Sequence, residues 1–87
     1  MTKSEKIAVK VKALRVLRDV LQNKITWVTD DVASSFRFLE TDKWIREQYS
    51  GLTATLAELI GTRRELDALL SEMVEQERQA RNEEETK

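Results

Sequence analysis

Asp30 and Asp31, Ser34 and Ser35, and the carboxylates Glu58, Glu65 and Glu72 are the side chains of this 87-residue chain whose types and spacing suit chemistry. Paired carboxylates do acid–base work when they converge on one point, whereas neighbours on a helix point about 100° apart. Asp30 and Asp31 fit the start of a helix better, where carboxylates meet unpaired amides and the positive end of the dipole. A serine nucleophile needs a base, and the chain has no histidine to activate Ser34 or Ser35. Cysteine is absent as well, so the commonest metal ligands are missing. Glu58, Glu65 and Glu72 recur every seven residues, with Asp67 near Glu65; on the polar side of a helix they make a solvated face rather than a cage. Gly51 and Gly61 follow no strand and form no phosphate-cradling loop. The expectation is a protein that is not an enzyme and carries no cofactor and no metal.

Binding is the remaining chemistry, and charge is its first guide. Net charge is only −1, yet it is unevenly placed. Residues 1–25 hold seven basic groups, Lys3, Lys6, Lys10, Lys12, Arg15, Arg18 and Lys24, against Glu5 and Asp19, a net of +5. Residues 72–87 hold three basic groups against six glutamates, a net of −3. Two ends of a helical structure that attract one another account for this split. The alternative is nucleic-acid contact through Lys3, Lys6, Lys10, Lys12, Arg15 and Arg18. Apolar residues interrupt that basic run, and on a helix its members scatter over more than half the circumference. Both facts favour attraction within the structure.

The elements that position these groups are helical. With no proline and two glycines, almost nothing punctuates the chain. From Leu52 to Met73, the residues Leu52, Leu56, Leu59, Leu66, Leu70 and Met73 alternate spacings of four and three, with Arg63 in the one polar slot. Such spacing makes a narrow apolar seam that needs a cover, from the upstream chain or from a second subunit. Thr2 followed by Glu5 forms a capping-box pattern that starts a first helix near Lys3. On that helix Ile7, Val11, Leu14, Leu17, Leu21, Ile25 and Val28 share one face, and Val9, Ala13, Val16, Val20 and Trp27 form a second stripe. Together they span roughly 200° of the helix, wide enough to touch two neighbours. The β-branched segment Ile25–Thr29, ending in cap residues, predicts that the first helix ends or bends between Asn23 and Thr29. Tyr49-Ser50-Gly51 predicts a turn, and Thr41-Asp42 offers a cap within the middle segment. Gly61 marks a close helix crossing, and Asn82–Lys87 should fray.

The five aromatic residues, Trp27, Phe36, Phe38, Trp44 and Tyr49, all fall between positions 27 and 49. They fill a core near a bend, or they form a docking patch of the kind enriched in Trp and Tyr. Trp44, beside Lys43, Arg46 and Glu47, points away from the apolar faces of its helix and is the foremost candidate anchor. Trp27, Tyr49 and Phe38 are the other partner-binding candidates.

Two short stretches resemble known families. The run Glu65-Leu66-Asp67-Ala68-Leu69-Leu70 resembles the end of the Ser-Gln-Glu-Leu-Asp signature of small helical-hairpin phosphatases of sporulation regulators, with Arg63 and Arg64 at its Ser and Gln positions. The turn Tyr49-Ser50-Gly51 resembles that of the secreted Trp-X-Gly hairpin family, with tyrosine in place of tryptophan. Each covers a few residues, and neither assigns the chain.

The expected protein is therefore all-α and a single domain over 1–87, a three-helix bundle or a helical hairpin with a long C-terminal coiled-coil-like helix. Its helices are expected at about 3–26, 30–48 and 52–82, with a frayed tail at 83–87. Its expected work is protein–protein interaction, as an adaptor, inhibitor or assembly factor. A second copy and one other protein are the expected partners, with nucleic acid the alternative. No apolar run approaches the ~18 residues a membrane span requires, and the N-terminal residues lack a secretory pattern. A cytoplasmic location without a membrane partner follows as the expectation.

Overall fold

The computed structural model describes residues 1–86, and its described residues are all-α. Helix α1 spans Lys3–Phe36 and helix α2 spans Lys43–Glu85. α1 starts where the capping pattern places it. The Thr2 hydroxyl accepts the Glu5 amide at 3.2 Å, and Glu5 sits in the first turn against the helix dipole. At the other end the Phe38 amide donates to the Ser35 carbonyl at 3.0 Å and the Asp42 amide to that of Phe38 at 2.9 Å. The first satisfies a carbonyl that the end of α1 leaves unpaired, and the second closes the turn. Asp42 then caps α2, its Oδ1 accepting the Trp44 and Ile45 amides at 3.0 and 3.3 Å.

The described residues form two helices, which rules out the three-helix bundle, one of the two architectures expected from the sequence. The first helix does not end between Asn23 and Thr29 but runs on to Phe36. Ile25 and Val28 are buried there, and Thr29, expected as a cap, turns its hydroxyl back along the helix, as Thr26 does. Thr26 donates to the Gln22 carbonyl at 3.0 Å and Thr29 to that of Ile25 at 2.7 Å. The turn at Tyr49-Ser50-Gly51 is absent too. Gly51 has no positive φ, and Thr53 ties the helix together through the Tyr49 and Ser50 carbonyls. One helical glycine costs about 1 kcal/mol, less than burial of the adjacent seam returns. At Gly61 a Cβ would meet nothing within 4 Å, so no close crossing explains that glycine. α2 continues to Glu85, through residues where fraying was expected; the last residue of that stretch, Lys87, lies outside the described residues.

The helices divide into two compact units. The terminal unit joins residues 1–19 to the chain from Arg64 onward. Its segments run antiparallel, with Ser4 opposite Glu84 and Lys10–Leu14 opposite Leu69–Met73. Ile7, Val11, Leu70 and Ala80 form its core, and Leu14 and Met73 pack against it. Val11 and Ala80 are only 2% exposed. The turn unit, Val20–Arg63, is a helical hairpin. It buries Ile25 and Val28 and half-buries Leu21, Val32, Leu39, Ile45, Leu52, Leu56, Leu59 and Ile60. The Arg63 guanidinium donates to the Gln22 side chain across it at 2.9 Å. Apolar spacing on both helices is what brings each pair together.

Candidate interaction surfaces

In the terminal unit the seam residues Leu70 and Met73 face α1 of the same chain, and Leu66 is half-buried. In the turn unit Leu52, Leu56 and Leu59 are likewise half-buried. The apolar residues beside these faces are the ones left in water. Val9, Val16 and Leu17 are exposed in the terminal unit, Leu17 at 56% despite its place on the expected inner face. On α2 of this unit, Leu69 and Val74 are exposed as well. Lys10, Ala13, Leu14, Leu69 and Met73 line a groove of about 340 Å³ between the two helices of this unit.

The turn unit exposes its aromatics rather than filling a core with them. Trp27 is 75% and Trp44 66% exposed, and Phe36 and Phe38 are also open to water; Tyr49 is half-buried. Trp44 lines a depression of about 260 Å³ with Ile45 and Leu52 on α2 and Asp31, Ser34 and Ser35 on α1. Phe38 lines a smaller one with Ala33, Ser34 and Arg37. Ser34 belongs to both. Trp27 and Tyr49 line neither, so the four candidate residues do not make one pocket. Val20 is exposed on α1 of this unit.

Lys3, Lys6, Lys10, Lys12 and Arg15 are exposed, and Arg18 is half-buried beside Asp19, 3.8 Å away. At about 100° per residue, Lys3, Lys6 and Lys10 fall within about 60° of one another on the groove side of α1, while Lys12, Arg15 and Arg18 fall on the other side. The basic residues therefore do not make a single stripe.

One polar contact in the terminal unit had no forecast in the sequence. Ser4 is buried, and both its amide and its hydroxyl donate to the Glu84 carboxylate, at 3.1 and 2.6 Å. The Ser4 bonds, hydroxyl before amide, hold the Glu84 carboxyl below the ordinary carboxylate range, with smaller help from Thr2 and Arg81. A side chain from α2 thus caps the first turn of α1. The only hint available was an acidic tail paired with a Thr/Ser-rich helix start. Further along α2 the Arg78 guanidinium holds Glu75 below its ordinary value, and Glu77 pairs with Arg81 at 2.6 Å. These are surface pairs on one helix, worth little individually.

Asp30 and Asp31 lie inside α1 rather than at a helix start. Glu58, Glu65 and Glu72 are exposed on α2. Among the described residues no three His, Cys, Asp or Glu side chains are placed to hold a metal ion. No helix of the described residues is long and apolar enough to cross a membrane. Comparison with protein-family models, with curated proteins and with solved structures gives no match.

Proposed function

We propose that this chain is a non-enzymatic helical interaction module, an adaptor, inhibitor or assembly factor that works by burying apolar helix surface against protein. Its partners are a second copy of itself and one other protein. The observation that carries this reading is the exposure of Val9, Val16 and Leu17 in the terminal unit, on a helix that already covers α2 with Ile7, Val11 and Leu14. Several large apolar side chains left in water on one helix point to contact surfaces. The exposed Trp44, beside an open depression, supplies the second contact, since tryptophan seated near a cavity is a recurrent anchor.

The test uses the full chain as bait in its native host. A protein retained by the parent chain, and lost with Trp44→Ala while far-ultraviolet circular dichroism is unchanged, supports the reading. A bait that retains nothing and does not self-associate contradicts it. The alternative, nucleic-acid binding through the basic residues of α1, is disfavoured by the division of those residues between two sides of the helix. It predicts binding to duplex or single-stranded oligonucleotides that weakens steeply with salt.

A further inference from the structure

The groove in the terminal unit has a charge pattern of its own. Lys10 lines its α1 side, and Lys3 and Lys6 lie within about 60° of Lys10 around the helix, all three exposed. On α2, Glu65, Glu72 and Glu83 lie about 40–60° beyond Leu69, turned away from the core, and are exposed too. One flank of this unit therefore carries a row of lysines on one helix and a row of glutamates on the other, with Ala13, Leu14, Leu17, Leu69 and Met73 between and beside them. None of the six charges makes an ion pair among the described residues.

From this pattern we propose that a second copy of the chain docks on this flank, its α1 lying antiparallel along α2 of the first. The proposal rests on the interaction-module reading and names the surface. A two-fold axis parallel to the helices, in the plane of contact, carries α1 of one copy over α2 of the other and keeps each residue at its own height. Ser4 is opposite Glu84 and Lys10–Leu14 opposite Leu69–Met73 within one chain. The same heights bring Lys3 of one copy level with Glu83 of the other, and Lys10 level with Glu72, twice by symmetry. Leu14, Leu17, Leu69 and Met73 of both copies close over the groove. The competing two-fold arrangement, with its axis across the helices, lays α1 on α1 and sets lysine rows beside lysine rows. Charge complementarity selects the first arrangement, because opposite charges fix register and like charges disfavour it. An isologous contact of this kind needs no other protein.

Sedimentation equilibrium on three proteins tests this. The parent chain dimerises. Lys3→Glu with Lys10→Glu, or Glu72→Lys with Glu83→Lys, raises the dissociation constant by on the order of tenfold or more at low salt. Mixing the two variants restores a dimer as a heterodimer. Circular dichroism checks that helicity is kept. The chain has no cysteine, so mixed Lys10→Cys and Glu72→Cys proteins give an independent readout: an oxidised cross-link between them is expected. A parent dimer untouched by either charge variant overturns this surface and leaves the interaction-module reading standing. So does a weakened pair that mixing fails to restore, or cross-linking of Lys10→Cys to itself alone. A parent chain that stays monomeric overturns both this surface and self-association.

Discussion

Leu70→Ala and Leu69→Ala should differ several-fold in cost although the residues are neighbours. Leu70 is 7% exposed and belongs to the core formed with Ile7, Val11 and Ala80, whereas Leu69 is 44% exposed on the groove flank. Truncating a buried leucine loses its transfer energy and leaves a cavity, about 2–5 kcal/mol in all. Because the core is thin and built by only two helices, about 3 kcal/mol is expected at Leu70. Leu69 keeps nearly half its surface in water and leaves no enclosed void, so roughly 1 kcal/mol or less is expected there. A chain of this length has a total stability of roughly 4–13 kcal/mol. It belongs toward the lower end, since no large side chain in the described residues is fully buried. Leu70→Ala therefore removes a large share of the total. Urea denaturation followed by circular dichroism at low micromolar concentration measures both losses. Repeating it at tenfold higher concentration should enlarge the Leu69 loss, because association stabilises the folded chain by mass action. Equal losses at the two positions, or the larger at Leu69, would refute the assigned register of α2 against α1.

Gly51→Ala should stabilise the protein by about 0.5–1 kcal/mol, because Gly51 lies within α2 with no positive φ and open space where a Cβ would stand; a lower urea midpoint would return the turn to Tyr49-Ser50-Gly51. Asp42→Ala removes the acceptor for the Trp44 and Ile45 amides and should cost about 1 kcal/mol, with an unchanged midpoint counting against Asp42 as the cap. The Glu84 carboxyl lies below its ordinary value of 4.5 in the folded chain, so the unfolded chain binds the extra proton first and the clasp stabilises above that value. Its contribution should fade as pH falls from about 4.5 through the lowered value, and the Ser4 amide should lose its protection against hydrogen exchange, relative to an unstructured peptide at the same pH, in step. Glu84→Gln should show low protection at the Ser4 amide already at neutral pH and converge with the parent chain in acid; a constant difference in protection across pH would remove Glu84 as the cause.

What could be read in the sequence was whatever a period or a local cap encodes. The Thr2 cap, the inward set Ile7, Val11 and Leu14, and the Leu70–Met73 part of the seam all follow from spacing along one helix, and the structure places them accordingly. Exposure of Trp44 followed from the same reasoning, one residue at a time. The misplaced breaks arose where a side chain has two uses. Thr26 and Thr29 can cap a helix or bond back to its carbonyls, and burial of Ile25 and Val28 decides for the second. The turn that does occur, at residues 37–42, contains neither glycine nor proline. Its one legible signal was Asp42, a good cap in a segment dominated by helix formers. The Ser4–Glu84 clasp joins residues eighty positions apart, and no local pattern encodes such a pairing.

Sedimentation equilibrium of the parent chain across a concentration series is the most direct measurement of whether its uncovered apolar flank is a contact surface. Starting from a mass of 10.1 kDa, the apparent mass should climb toward about twice that value as concentration rises through the micromolar range, and Leu17→Asp should hold it at the lower figure with helicity intact. A single species of one chain's mass at every concentration, with Leu17→Asp indistinguishable from the parent, would mean that water is the natural neighbour of these side chains.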